Sequence, residues 1–163
     1  MNALLTDHLV ISLGLAQTGP EAEIRQLLAN WKHALGERDL ERLMSLYSRD
    51  VVLFDVQPPF CVEGFEALRE LWEQCLSDFP EKIPIDIENL HVEAGEETAF
   101  AHWMFRVVSH SGDLPLAQTW MRASAGYRKF HGTWKIVHEH ISLPIDPTSN
   151  RAVFTPVAGP LAQ

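Results

Sequence analysis

The stretch Gly132-Thr133-Trp134-Lys135-Ile136-Val137-His138-Glu139-His140-Ile141-Ser142-Leu143-Pro144 opens on a turn and continues as a strand. Side chains alternate along a strand, so His138, His140 and Ser142 share one face, and Val137, Glu139, Ile141 and Leu143 the other. Polar groups at period two, set between apolar positions, predict a strand lining a partly polar cavity, with the imidazoles inward. The chain ahead of it reads as further strands at 85–93, 98–110 and 116–130, joined by turns at Gly95-Glu96, Ser111-Gly112-Asp113 and His131-Gly132. Consecutive hairpins of this kind build an antiparallel sheet.

Upstream the period changes. Ile24, Leu27, Leu28, Trp31 and Leu35 recur at helical spacing after Thr18-Gly19-Pro20-Glu21, which resembles a capping box with proline near the start. A second helix follows Asp39, with Leu40, Leu43, Met44 and Tyr47 as its stripe, and residues 50–55 read as a buried strand. Phe65, Leu68, Leu71, Trp72, Cys75, Leu76 and Phe79 trace a third helix that stops before Pro80. Three amphipathic helices need an apolar face to cover. The expected class is therefore α+β, a curved antiparallel sheet covered by three N-terminal helices and enclosing a pocket.

With 163 residues and 46% hydrophobic content, the chain is the size of one domain and can bury a core without metals or disulfides. Its net charge of −9 offers no footprint for a phosphate backbone, so nucleic acid is not an expected partner. Cys61 and Cys75 are too few for a disulfide framework and read as reduced thiols of a cytoplasmic protein. Residues 1–17 are apolar around Leu9 to Leu15 but lack a basic lead and a small-residue cleavage site, and the run is too short to span a bilayer. They read as an N-terminal arm, residues 18–144 as the domain, and the proline-rich 145–163 as an irregular tail.

The order of three helices, a strand and a long meander resembles the nuclear transport factor 2-like fold, a cone-shaped sheet around a pocket. Ala34-Leu35-Gly36-Glu37-Arg38-Asp39 leading to Leu46-Tyr47-Ser48-Arg49-Asp50 is similar to the opening of ketosteroid isomerase-like and SnoaL-like proteins, and the terminal Gly-x-Trp-Lys-Ile-Val-His-Glu-His-Ile-Ser-x-Pro resembles a SnoaL-like branch. The resemblance covers about 20–144. It implies a small organic ligand, a sheet-to-sheet homodimer and, in an enzyme, cofactor-independent isomerase or lyase chemistry.

Asp55 matches the carboxylate that shuttles a proton in ketosteroid isomerases. The family's oxyanion-binding tyrosine falls on Trp31, sixteen residues before Tyr47, and its neutral carboxylic acid falls near Ser124 to Gly126, where the chain has none. Each lost donor commonly accounts for about 3–4 kcal/mol of barrier, so steroid isomerisation by that route is not expected.

Asp55, His138 and His140 are the catalytic candidates, since burial raises a carboxyl toward working pH and an imidazole titrates near neutrality. Their bland alternatives are a strand-end carboxylate bonded to loop amides and neutral core histidines. His138 and His140 with His102 or Asp55 could supply three metal ligands, but His-x-His spacing alone is weak and no metal or cofactor is expected. Trp31, Tyr47, Trp72, Trp103 and Trp120 are candidate aromatic lining, with Ser142 beside them; large aromatics at these spacings also make plain core. Arg122 shares a strand face with Gln118, Trp120 and Ser124. Inward, it holds a substrate oxygen or carboxylate; outward, it is a solvated arginine. Val137, Glu139 and Ile141 on the outer face are candidate dimer contacts. The competing reading is a non-catalytic ligand-binding or assembly module.

Overall fold

The computed structural model describes residues 18–79, 82–108 and 116–154. The expected N-terminal arm lies outside them. Helix α1 (Pro20–Gly36) starts with Pro20 at its first position, where a missing N–H costs nothing, and buries Ile24, Leu27, Leu28, Trp31, Ala34 and Leu35. Its cap is Gly19 without a side-chain bond, so the expected capping box does not form. Asp39 does cap α2 (Leu40–Met44), accepting from the Arg42 amide at 3.0 Å. That helix is short. Tyr47, expected on its stripe, instead opens strand β1 (Tyr47–Phe54).

Strand β2 (Cys61–Glu63) and helix α3 (Phe65–Ser77) follow, and then β3 (Ile85–Ala94), β4 (Thr98–Val107), β5 (Met121–Phe130) and β6 (Thr133–Ser142). The six-stranded sheet has the order β2-β1-β6-β5-β4-β3. The meander β3 to β6 is antiparallel as expected, but β6 returns beside β1 in parallel, which makes the sheet mixed. Helix α1 packs on β3, β4 and β6, and α3 packs on β1 and β2. A two-strand ladder of β7 (Ile145–Asp146) and β8 (Arg151–Ala152) stands within the expected irregular tail. No helix among the described residues is long and apolar enough to cross a membrane.

One irregularity decides which side chains face the helices. In the β5–β6 ladder Gly126 opposes His138 but Tyr127 opposes Ile136, so Val137 is an extra residue on β6. A bulge of this kind reverses the alternation beyond it. Trp134 and Ile136 are buried before it; Glu139 and Ile141 are buried after it. The expected facing of His138, His140 and Ser142 into the cavity is therefore corrected: all three lie on the outer face, and Glu139 and Ile141, expected there, lie inside.

Strand β5 buries Met121, Ala123, Ala125 and Tyr127, which puts Arg122 outside, exposed and opposite Ser142 in register. Arg122 is thus the solvated alternative, not a ligand-binding group. Trp120 precedes this strand and is buried with its ring 4.9 Å from the Arg106 guanidinium, on the side of β4 opposite buried Phe105. It does not line the pocket.

Candidate functional site

Strand β1 buries Val51 and Leu53, and the same alternation carries Asp55, just beyond the strand end, to the helix-covered side. Asp55 lines a pocket of about 300 Å³ between the end of β1, helix α3 and the inner face of β4 to β6. Its deep wall is apolar and aromatic, with Leu53, Trp72, Phe105, Met121 and Ile141, while Gln57, Gln74, Cys75 and Asp78 supply polarity. A concave apolar chamber with few polar groups is the form small-molecule sites take. A shallower depression of about 400 Å³ beside Glu37, Arg38 and Glu73 is more open and lies away from Asp55.

Asp55 is half-buried, and its Oδ1 accepts from the Val56 amide at 2.7 Å. Burial raises its pKa above the ordinary aspartate value, and the Val56 and Gln57 amides, which favour the carboxylate, offset part of that rise. The Cys75 thiol in the same wall is pushed up to about 11, first by burial and then by the charges of Asp55 and Asp78. It is a protonated thiol at neutral pH, not an activated nucleophile.

Behind the pocket lies a second carboxyl. Glu139 is completely buried, next to pocket-lining Leu53 in the β1–β6 register. The Trp31 indole N–H donates to the Tyr47 hydroxyl at 2.9 Å, and that hydroxyl donates to Glu139 Oε2 at 2.7 Å. An indole can only donate, so the Tyr47 hydroxyl accepts from Trp31 and has its own hydrogen free for Glu139. Glu139 Oε1 has no hydrogen-bond partner among the described residues. Burial pushes Glu139 up to about 7, against the Tyr47 bond that favours its ionised form, with the Asp55 charge adding to the rise. Tyr47 is raised well above the usual phenol range, by burial first and then by Glu139, and the buried Tyr127 hydroxyl is raised for the same two reasons.

The structure thus separates the expected site residues into three groups. Asp55 and Trp72 meet at the pocket. Trp31, Tyr47 and Trp103 are core one layer deeper, Trp31 standing edge-on to Trp103 at 6.2 Å and to pocket-lining Phe105 at 5.6 Å. His138, His140, Ser142 and Arg122 occupy the outer face, where Phe54 stands edge-on to His138 at 5.0 Å and to His140 at 6.0 Å. His138 Nδ1 lies 3.0 Å from the Val52 carbonyl oxygen. His102 is outside too, 5.2 Å from His91, so these imidazoles cannot converge with Asp55. Among the described residues no group of three metal-ligating side chains is assembled.

Sequence reasoning missed Glu139. The signal was present as a change in parity, since Trp134 and Ile136 occupy even positions and Ile141 and Leu143 odd ones.

Residues 24–146 match the SnoaL-like domain family. Among solved structures, the chain is similar to a nuclear transport factor 2-like protein of unknown function from Pseudomonas putida, at 33% identity and a TM-score of 0.75, over 82% of this chain and 93% of that one. It also shares its fold with a candidate ketosteroid isomerase from Parabacteroides distasonis (20% identity, TM-score 0.63, covering 83% and 95%). A candidate dehydratase from Streptomyces avermitilis has the fold as well (19% identity, TM-score 0.65, covering 75% and 94%). Among curated proteins no sequence matches.

Proposed function

The chain belongs to the SnoaL-like family, and from that premise we propose that its pocket binds a small, largely apolar organic molecule on which Asp55 moves a proton. The observation that carries this reading is a half-buried carboxyl in an apolar and aromatic wall, with its proton affinity raised by burial. A base in that setting is poised closer to neutral pH than a free aspartate. As a carboxylate, Asp55 takes a proton from a carbon next to a carbonyl; returning it at another carbon completes an isomerisation, and handing it to a departing β-hydroxyl, which leaves as water, completes a dehydration. The candidate isomerase and dehydratase among the structural relatives fit both outcomes. The substrate-oxygen role that an inward Arg122 would have had falls in this reading to the side-chain amides of Gln57 and Gln74, neutral donors in the lining.

In this reading the protein is a cytoplasmic homodimer. The outer sheet face supports the association, because Phe54 and Phe100 remain 43% and 48% exposed there. Glutamate at both positions is expected to yield a monomer in sedimentation; an unchanged mass contradicts that part.

The function is tested by NMR in D2O, following exchange of protons next to the carbonyl in a panel of small ketones and enones. Wild type is expected to accelerate exchange for at least one compound, and Asp55→Asn to lose about 10²- to 10⁴-fold of that rate. Binding without exchange favours the non-catalytic reading, and exchange that survives Asp55→Asn removes Asp55 as the base.

A further inference from the structure

Among the described residues the pocket's charged groups have one sign: its polar lining holds two carboxylates, Asp55 and Asp78, with two amides and a thiol, and no lysine, arginine or histidine. All 13 lysines and arginines of the chain lie within the described residues, so the segments outside them can add neither to the lining. The two carboxylates also act on one spot: Cys75, one turn before Asp78 on α3, responds to the charges of both. Trp72, Phe79 and Phe105 line the same pocket, and aromatic rings attract cations at their faces.

We propose that the pocket selects a compact apolar molecule ending in a protonated amine, with the ammonium paired to Asp78 at the mouth and the body held against the aromatic wall beside Asp55. This rests on reading the pocket as a ligand site. The selection follows from what each head group meets on entry. An ammonium finds carboxylate partners and aromatic faces, and a neutral head finds the amides. Among the described residues a carboxylate meets two like charges and no cation, so it gives up hydration without a replacement partner. Asp78 is exposed and Asp55 half-buried, which places the ammonium at the solvent side and leaves Asp55 facing the carbon skeleton. The nearby positive charge favours the ionised form of Asp55, the form a base needs.

The test compares three probes of one skeleton, phenylbutylamine, phenylbutanol and phenylbutyrate, at pH 7, by their dissociation constants and by the shift of the Trp72 indole resonance. The amine is expected to bind at least about tenfold more tightly than the carboxylate, with the alcohol between. Asp78→Asn is expected to cut the amine's advantage over the alcohol by about threefold, and Glu96→Gln, in the remote β3–β4 turn, to leave it unchanged. Equal or tighter binding of the carboxylate overturns the selection while leaving the pocket as a ligand site. An equal loss in Glu96→Gln also overturns it, because net charge alone then explains the preference. If none of the probes binds or moves Trp72, the pocket reading fails and the selection fails with it.

Discussion

Asp55 and Glu139 sit on neighbouring strands of one sheet face, and burial raises the proton affinity of both, yet they are built for different work. Asp55 ends a strand, opens onto a chamber and is steadied by loop amides. Glu139 lies mid-strand, sealed, and is held by a hydrogen bond from Tyr47 that Trp31 orients. Burial alone therefore does not mark a reacting group. What separates the two is access: a proton on Asp55 can pass to a ligand in the pocket, whereas a proton on Glu139 faces the interior.

The largest expected difference between them is kinetic. Asp55→Asn should remove about 10²- to 10⁴-fold of the exchange rate with little change in thermal midpoint, because the amide still accepts from the loop. Trp31→Ala should do the reverse in kind, costing about 3–5 kcal/mol in denaturant unfolding by emptying the space beneath Trp103 and Phe105. Tyr47→Phe is a narrower cut. It leaves Glu139 without its donor, should cost about 1–3 kcal/mol, and should raise the pKa of Glu139 further, since the lost bond favoured the carboxylate.

The sign of the Glu139 effect on stability follows from linkage. Its folded pKa is raised from 4.5 to about 7, so the folded state holds a proton that the unfolded state has released between those values. The stabilising contribution is complete below pH 4.5 and is lost as pH rises through about 7, a fall on the order of 3 kcal/mol. Glu139→Gln should flatten that slope in melts recorded from pH 4 to 8, and should be the more stable protein at pH 8. The smallest effect belongs outside: His140→Ala should change stability by no more than about 0.5 kcal/mol and leave exchange untouched, because this side chain is exposed and stands edge-on to half-exposed Phe54, away from the pocket.

The fold was readable because its signals are local and repeated. Helical stripes at Ile24 to Leu35 and Phe65 to Phe79, and turns at Gly95 and Gly132, each name an element without reference to the others. That Asp55 lines the pocket was readable as well, through the resemblance that matches the end of the 50–55 strand to the family's carboxylate. The inner face of β6 was not. Strict alternation from Trp134 and Ile136 leads to His138 and His140, and only the extra residue Val137, a property of the pairing with β5, moves Glu139 inside. The face of β5 was hidden for a related reason. Ala123 and Ala125 carry no conspicuous apolar bulk, and they are small where large rings from elsewhere, Trp31 and Trp103, fill the interior. Beside them Trp120 and Arg122 look like the working face, although they pack or project on the other side.

The division of roles between the two carboxyls is tested most directly by carboxyl-¹³C NMR of the protein labelled at aspartate and glutamate, titrated with and without phenylbutylamine. Asp55 should titrate above the ordinary aspartate value of about 3.9 and move when ligand is added, while Glu139 holds its proton to near neutral pH with little response to ligand. An Asp55 that titrates at or below that value and ignores the ligand, with Glu139 the resonance that responds, contradicts the account.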